Sequence, residues 1–279
     1  MLHRLRARVR RLRTPSEISQ AGLRHFLEEV GRRPDLELPR EAPASLSVVV
    51  PCFGHAAYLP DMLESIVAQT RQPDEVVFVD DGSPDETKVV LTAFIAAQKL
   101  PDSVRLLLLE NDRNMGQSAS INRAISVASG ELIMIANDDD YLMHDAIESM
   151  LGLFAQNREV AMIGAHSIHF AGSEALAAAP KLSTAYGPPE RPLVIHRPKD
   201  VLRYRAANDL NMTHSGSCFL KSAWAVVGGY RPDKSERIVP YSDRDFQLRV
   251  NAVWPVAVAY ETPFSFWRND SSLDSGRDS

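Results

Sequence analysis

The sequence predicts an α/β protein with a mostly parallel sheet flanked by helices. Short apolar runs of strand length alternate along the chain with stretches in which apolar residues recur at helical spacing. The run at residues 46–50 is typical of a strand buried on both faces, as strands of parallel sheets are. The chain has 279 residues, of which 44% are apolar and 24% charged, so it is able to bury a sizeable core.

Residues 1–43 differ from the rest and predict a basic helical extension followed by a linker. The segment from Met1 to Arg13 holds six arginines and no acidic residue, and its apolar residues fall on one face of a helix. Such a helix suits an anionic membrane surface, and the alternative is a solvated or partner-packed extension. Residues 17–30 predict a second helix, and the linker is marked by Pro34, Pro39 and Pro43.

Strands and helices alternate from Leu46 onwards. The predicted strands are 46–50, 75–79, 104–109 and 132–135. The predicted helices are 58–68, 83–98, 118–128, 145–155, 222–229 and 243–251. In the second of these helices, Ser83 is expected to cap the N-terminus and Glu86 to complete a capping box. This order makes the strands parallel, and ligands of such sheets bind beyond the carboxyl ends of the strands.

Two later segments lack this periodicity. Residues 171–198 are rich in Ala, Pro, Ser and Gly, which predicts a long loop. Residues 270–279 are polar and predict a tail without a fixed fold. The predicted domain therefore spans residues 44–269.

Charge, hydropathy and cysteine content argue against several classes of protein. The net charge of −5 disfavours a nucleic-acid partner. No apolar run approaches the roughly 18–20 residues that span a bilayer. Cys52 and Cys218 are too far apart for a zinc motif or a disulfide framework and predict free thiols in a reducing cytoplasm. We expect a cytoplasmic protein, with peripheral attachment to the inner face of the membrane through Met1–Arg13 as an open alternative and the oligomeric state undetermined.

Acidic residues follow two of the predicted strands. Asp80 and Asp81 come directly after the strand at 75–79, and residues 137–140, Asn-Asp-Asp-Asp, follow the strand at 132–135. Because the carboxyl ends of parallel strands meet at one edge, both groups are expected to face the same ligand. Carboxylate oxygens suit Mg²⁺ or Mn²⁺, so the pattern favours a metal site over a solvated acidic turn.

A third acid lies far along the chain at Asp243. It is a candidate for the carboxylate that accepts a proton from an attacking hydroxyl. The alternative is that Asp243 merely caps the helix that follows it.

Ordered motifs run through the chain at 46–54, 63–70, 79–85, 114–125, 136–142, 228–233 and 242–249. Together they resemble the motifs of family 2 glycosyltransferases over residues 46–269. The resemblance implies a Rossmann-like fold of the GT-A kind in a single catalytic domain. Its nucleotide-sugar-binding half would be 44–145 and its acceptor-side half 146–269.

The resemblance also implies roles for single residues. Asp243 matches the catalytic base, and the metal ligands would be Asp139 and Asn137. The acceptor-side candidates are His214 and Ser242. The nucleotide-sugar would be bound by Pro51, Phe53, Asp81, Asn114, Asp138 and Arg268. Two positions depart from the family pattern, since Asn137 replaces the first acid of the Asp-x-Asp motif and Ser242 replaces the usual Glu before the base.

The implied reaction moves a sugar from a nucleotide-sugar, with UDP as the expected nucleotide, to a hydroxyl acceptor with inversion and with Mn²⁺ or Mg²⁺. The acceptor would be a glycan, a lipid-linked group or another hydroxyl compound, as in bacterial surface polysaccharide or glycoconjugate synthesis. Two alternatives stay open: an inactive nucleotide-sugar-binding homologue and a nucleotidyltransferase. A dinucleotide oxidoreductase is disfavoured because no Gly-x-Gly-x-x-Gly follows the first strand.

Overall fold

The computed structural model describes residues 17–31, 37–39, 41–170, 192–232 and 237–269. The amphipathic helix predicted for Met1–Arg13, the polar tail at 270–279 and most of the loop predicted at 171–198 lie outside these ranges. Those interpretations stay predictions. Among the residues that are described, no helix is long and apolar enough to cross a membrane.

The strands form one large and one small sheet. The strands are β1 (Leu46–Cys52), β2 (Glu75–Asp80), β3 (Arg105–Glu110), β4 (Leu132–Ile135), β5 (Tyr141–Leu142), β6 (Met162–Ala165), β7 (Ile168–Phe170), β8 (Val194–His196), β9 (Cys218–Leu220), β10 (Val256–Ala259) and β11 (Ser265–Arg268). The large sheet has the order β3-β2-β1-β4-β9-β6-β10-β8, and the small sheet has the order β5-β11-β7.

The large sheet is mostly parallel, as the sequence predicts. Neighbouring strands from β3 to β4 all pair in parallel, and β10 pairs in parallel with β6. Only β9 and β8 run antiparallel to their neighbours. Every residue of β1 and β2 is buried, because helices cover both faces of a sheet of this kind. The carboxyl ends of β1, β2 and β4 therefore lie side by side at one edge.

The helices are α1 (Gln20–Val30), α2 (Leu59–Val67), α3 (Thr87–Ala96), α4 (Gln117–Val127), α5 (Ala146–Gln156), α6 (Pro198–Val201), α7 (Lys221–Val227) and α8 (Ser242–Val253). Most begin and end within two residues of the predicted limits. Gly228, at φ 78°, ends α7 in the left-handed conformation that glycine favours.

The predicted start of α3 at Ser83 is wrong, because that serine serves another element. Its hydroxyl accepts a hydrogen bond from the Gly54 amide at 3.2 Å, and its own amide donates to Asp80 Oδ1 at 3.0 Å. The helix starts at Thr87, whose amide is bound by Asp85 Oδ1 at 3.2 Å. Ser83 thus ties the turn after β2 to the loop after β1.

Seven of the eleven described strands, β5 to β11, were not predicted by the sequence pattern. β8 and the start of α6 fall within the segment predicted as a loop, and β8 adds an antiparallel edge strand to β10. The pairing of β11 with β5 and β7 joins the C-terminal end of the domain to its middle. Strands of three or four residues carry too few positions for a period to be recognised.

The N-terminal helix α1 packs onto the domain. Ser19 caps it by accepting from the Gly22 amide at 3.1 Å, and the Ser19 amide donates to Ile238 O at 2.9 Å. Leu23 and Phe26 are buried in the common core, and the Phe26 ring lies 5.6 Å from the Arg231 guanidinium. The described part of the extension is therefore continuous with the domain core.

Candidate active site

The segment Asn137–Asp140, here called the acidic loop, follows β4 at the carboxyl edge of the sheet. The Asp138 carboxylate accepts from the Phe53 amide at 2.9 Å and contacts His55 Nδ1 at 2.8 Å. Burial raises the pKa of Asp138, and the hydrogen bond to His55 opposes that shift. The acidic loop is in this way fixed to the loop that leaves β1, on which Phe53 lies.

His55, Asp138 and Asp139 form a group suited to a metal ion. One ligand atom from each lies within 4.8 Å of the others. Two carboxylates and one imidazole are a donor set that Mn²⁺ accepts, and carboxylates also suit Mg²⁺. His55 was not among the predicted site residues, because a single histidine in a loop has no spacing that marks it as a ligand. Asn137, predicted as a ligand, has its side chain between Gln117 Nε2 at 3.5 Å and Asp140 Oδ2 at 3.1 Å.

Asp140 is the most deeply buried carboxylate of the acidic loop. Its Oδ1 accepts from the Arg268 amide at 3.1 Å, and its Oδ2 accepts from Asn137. Burial, followed by the charge of Asp139, raises the pKa of Asp140 to about 7. Asp140 therefore joins the acidic loop to β11, a structural role that sequence analysis did not assign.

Asp81 holds the loop that precedes α4. Its Oδ1 accepts from Asn111 Nδ2 at 2.6 Å and from the Met115 amide at 2.8 Å, and its Oδ2 accepts from the Gly116 amide at 2.9 Å. An ionised carboxylate offers about four lone-pair sites, so these bonds leave room for a further donor. Asn114, in the same loop, is exposed and bonds the Gly116 amide at 2.9 Å.

Pro51 and Phe53 lie where the sequence predicts them, at the end of β1. Pro51 is buried and pairs with Val79 of β2, while Phe53 is partly exposed beyond the strand. Of these two residues, only Phe53 is therefore partly accessible to solvent.

Arg268 lies at the end of β11 and is buried. Its Nε donates to Asp139 O at 2.9 Å and its terminal nitrogen contacts Asp61 Oδ2 at 2.8 Å. The guanidinium also lies 4.6 Å from the Tyr58 ring and 4.7 Å from the Phe170 ring. These contacts hold Arg268 beside the acidic loop, and its predicted contact with a nucleotide-sugar stays a prediction.

The acceptor-side candidates gather at the start of α8. Asp243 is the second residue of α8 and is partly exposed, and Ser242 is the first. His214 Nε2 lies 3.1 Å from the Tyr230 hydroxyl. Burial lowers the pKa of His214, while the nearby negative charge of Asp243 opposes that shift. The same charge adds to burial in raising the pKa of Tyr230, so Asp243 lies near both side chains.

Asp243 does not cap its helix. The N-cap position of α8 is Tyr241, which makes no side-chain capping bond. The neighbouring Asp245 is the structural acid: it is fully buried, pairs with Arg249 at 2.8 Å and accepts from the Ile238 amide at 2.7 Å. Helix capping therefore does not account for Asp243.

The loop at residues 213–217 links the acceptor side to the acidic loop. Ser215 Oγ accepts from the Asn137 amide at 3.2 Å, and the Gly216 amide donates to Ile135 O at 2.8 Å. His214, which faces Asp243, directly precedes Ser215. The loop thereby connects the surroundings of Asp243 with the acidic loop, although 103 positions separate Asp243 from Asp140 in the chain.

Carboxylates at the carboxyl ends of neighbouring parallel strands, in a sheet of this order, place the protein in the GT-A class of folds. The chain belongs to a family of that class, glycosyl transferase family 2, whose sequence profile matches residues 47–222.

Curated relatives match part of this chain. The chain is 35% identical over 105 residues to "Glycosyltransferase GlyG" of Streptococcus pneumoniae, a match that covers 38% of this chain and 33% of the relative. It is 32% identical over 106 residues to "GalNAc(5)-diNAcBac-PP-undecaprenol beta-1,3-glucosyltransferase" of Campylobacter jejuni, with coverage of 38% and 33%. The matched region thus spans about a third of the length of these relatives.

Solved structures share the fold at low identity. The S. aureus TarS fragment 1–349 in complex with UDP-GlcNAc aligns with a TM-score of 0.60 and 16% identity, covering 82% of this chain and 60% of that fragment. The mannosyltransferase PcManGT from Pyrobaculum calidifontis, in complex with GDP-Man and Mn²⁺, aligns with a TM-score of 0.55 and 16% identity, covering 87% and 64%. At this identity the likeness concerns the fold alone.

Proposed function

We propose that this chain is a glycosyltransferase domain that moves a sugar from a nucleotide-sugar to a hydroxyl acceptor with inversion. The observation that carries the proposal is the connection of the acidic loop, through Ser215, to the segment that places His214 near Asp243. A transferase needs a cation site for the leaving diphosphate and a carboxylate for the attacking hydroxyl. In this proposal the acidic loop supplies the cation site and Asp243 supplies the carboxylate.

The donor would lie over the carboxyl ends of β1, β2 and β4. The partly exposed Phe53 ring offers an apolar contact for the base, and Asp81 retains acceptor capacity for an N–H of uracil. UDP is therefore the proposed nucleotide, and the UDP-GlcNAc complex of TarS supports this choice by likeness of fold. Asn114, Asp138 and Arg268 complete the proposed donor contacts.

Asp139, with Asp138 and His55, would hold Mn²⁺ or Mg²⁺. When bound, the ion supplies positive charge that stabilises the diphosphate as it leaves. Asn137 remains a candidate further ligand through its amide oxygen.

Asp243 would accept the proton of the acceptor hydroxyl as that oxygen attacks the anomeric carbon from the side opposite the diphosphate. A single displacement of this kind inverts the anomeric centre. Because burial lowers the pKa of the neighbouring His214, its imidazole stays neutral at neutral pH. A neutral His214 leaves the Asp243 carboxylate without an adjacent imidazolium, which favours its use as a base.

Nucleotide-sugar turnover tests the proposal directly. The purified chain is incubated with UDP-glucose, UDP-galactose, UDP-GlcNAc or GDP-mannose, with Mn²⁺ or excess chelator, and released nucleoside diphosphate is measured. We expect metal-dependent release from at least one UDP-sugar. Release of pyrophosphate would instead indicate a nucleotidyltransferase. Tight UDP binding by calorimetry without any turnover would indicate an inactive homologue.

The names of the relatives support a proposal for the cellular role. The C. jejuni relative carries an undecaprenol-linked glycan in its name, so a glycan or lipid-linked acceptor in surface glycan synthesis is proposed for this chain. Such an acceptor would bring the domain to the inner face of the membrane, where the basic residues 1–13 would meet anionic lipid.

A further inference from the structure

The small sheet β5-β11-β7 has two faces with different partners. Phe266 and Arg268 point to one face, where Arg268 meets Tyr58 and Asp61 beside α2. Ser265 and Trp267 point to the other face, because successive side chains of a strand alternate. Trp267 pairs across the strands with His169 of β7, so both rings lie on the second face.

The second face adjoins the acceptor side of the site. Ser265 Oγ donates to Ser215 O at 2.8 Å and lies 2.5 Å from Ser167 Oγ. A Cβ added to Gly216 would lie 3.2 Å from the Ser265 Cβ, so the backbone of residues 213–217 packs closely on β11. That segment carries His214, which faces Asp243. Trp267 therefore lies on the same face of the small sheet as Ser265, which contacts the segment at residues 213–217.

The contacts of β11 also fix the position of Trp267 along the strand relative to the acidic loop. The next residue, Arg268, binds the acidic loop through its amide, at 3.1 Å from Asp140 Oδ1, and through Nε, at 2.9 Å from Asp139 O. Trp267 is thus one residue away from a direct hydrogen-bonded connection to the acidic loop. Its indole has little freedom to shift along the strand.

Trp267 and His169, here called the aromatic pair, form an open surface with polar groups at its rim. The two ring centroids are 4.6 Å apart at an interplanar angle of 86°, an edge-to-face contact in which the indole is nearly perpendicular to the imidazole. The indole is partly exposed and His169 is exposed. His169 Nδ1 lies 3.2 Å from the Asn269 side-chain oxygen, so groups able to form hydrogen bonds lie beside the aromatic pair.

We propose that the aromatic pair is a binding subsite for a sugar ring of the acceptor. A pyranose has an apolar C–H face and a rim of hydroxyls, and this chemistry matches an aromatic plane bordered by imidazole and amide groups. A lipid-phosphate acceptor without a sugar would instead call for cationic groups. The inference rests on the proposed function and names its acceptor class as a carbohydrate, the Trp267 ring being a specificity determinant outside the reaction centre.

The test compares Trp267→Tyr, which keeps an aromatic plane, with Trp267→Leu, which keeps apolar volume without one. Saturation-transfer NMR measures binding of maltotriose, cellotriose and chitotriose to the full chain in the presence of UDP and Mn²⁺. We expect the wild type to bind at least one of them, with a Kd raised about tenfold or more in Trp267→Leu, as for truncated aromatic anchors, and nearly unchanged in Trp267→Tyr. Donor hydrolysis without an oligosaccharide is expected to be equal in all three proteins.

Three results would overturn the subsite: no binding of any trisaccharide to the wild type, equal Kd for Trp267→Leu and wild type, or a loss of donor hydrolysis and UDP affinity in Trp267→Leu. The last result would assign Trp267 to the donor. Failure of the proposed function looks different, since the wild type would then release no nucleoside diphosphate from any nucleotide-sugar, while trisaccharide binding would still report on the aromatic pair. Melting temperatures of both variants identify a variant that fails to fold.

Discussion

At the scale of single residues, the proposed chemistry depends on acidic residues that lie in very different environments. Asp243 is partly exposed beside His214, whereas Asp245, two residues later, is fully buried against Arg249. The proposed base and a structural acid therefore lie within one turn of α8.

Asp243→Asn is expected to lower kcat by about 10²–10⁴, the usual effect of removing a general base, while UDP-sugar affinity stays nearly unchanged. Asp245→Asn is the contrasting variant: it leaves Arg249 buried without its carboxylate partner and is expected to destabilise the fold by about 3–5 kcal/mol. Turnover, calorimetric affinity and melting temperature are measured on both. Near-wild-type kcat in Asp243→Asn would remove this residue from the mechanism.

Asp139→Asn is expected to abolish metal-dependent turnover while the fold survives, because the amide loses the negative charge that binds the cation. The matched control is Asp102→Asn, an exposed acid in the loop that precedes β3, far along the chain from the acidic loop. Nucleoside diphosphate release is measured against Mn²⁺ and Mg²⁺ concentration. Full activity of Asp139→Asn, or of the wild type in excess chelator, would contradict the metal assignment.

The raised pKa of Asp140 predicts that the stability of the metal-free protein depends on pH. Its folded pKa of about 7 lies above the ordinary value of 3.8, so the folded state holds its proton more tightly than the unfolded state. The stability from this shift is fully present below pH 3.8 and is lost as pH rises through about 7. Denaturant unfolding in chelator should therefore show the wild type losing stability relative to Asp140→Asn between pH 4 and 7. Parallel pH profiles for the two proteins would refute this assignment.

At the scale of elements, the turns at the carboxyl ends of the strands decide where the site residues point. Gly82, after β2, has φ 68°, and an added Cβ would lie 2.7 Å from the Arg113 backbone. This close approach brings the loop before α4 to the Asp81 carboxylate. The glycine thus connects the local backbone to the proposed nucleotide site.

Gly82→Ala is expected to destabilise the protein by about 1–3 kcal/mol, through backbone strain and collision with Arg113, and to weaken UDP binding. Gly152→Ala is its matched control, since Gly152 lies within α5 and an added Cβ there meets nothing within 4 Å. That control is expected to gain about 0.5–1 kcal/mol from better helix propensity. Unfolding in denaturant and UDP calorimetry compare the pair, and equal effects would refute the close-approach argument.

At the scale of the whole molecule, one core joins α1, the large sheet and α8. Phe26 of α1 is 1% exposed, and its ring lies 5.9 Å from the guanidinium of Arg249 in α8. Arg249 in turn donates to Val227 O and Gly229 O at 2.6 and 2.7 Å, at the end of α7. Packing of α1 thus supports the helix that carries Asp243.

Phe26→Ala is expected to cost about 3–5 kcal/mol of stability, because it removes a buried aromatic ring and leaves a cavity. Arg24→Ala, an exposed position on the same helix, is the control and is expected to change stability by less than about 0.5 kcal/mol. A Phe26→Ala protein with wild-type stability would mean that α1 is a dispensable extension. The measurement is the unfolding midpoint and slope in denaturant.

Much of the fold was predictable because its signals are local. The continuous apolar runs of β1, β2 and β4 and the helical periods between them depend only on neighbouring residues, and the structure places them as expected apart from the start of α3. The start of α3 was mispredicted because Ser83 is bound to Gly54, a residue 29 positions away. A capping motif competes with such long-range partners, and sequence alone does not weigh the two.

The sequence by itself determined the class of fold, the acidic residues that follow the parallel strands and the family, because each rests on local pattern or ordered motifs. Only the tertiary structure distinguished the environments of neighbouring acids. Asp243 and Asp245 look alike in the chain, yet Asp243 lies near His214 and Asp245 is buried against Arg249. It also brought in His55 and Trp267, which carry no motif spacing. Their positions follow from strand alternation and from packing between residues far apart in the chain, and these are properties of the folded molecule.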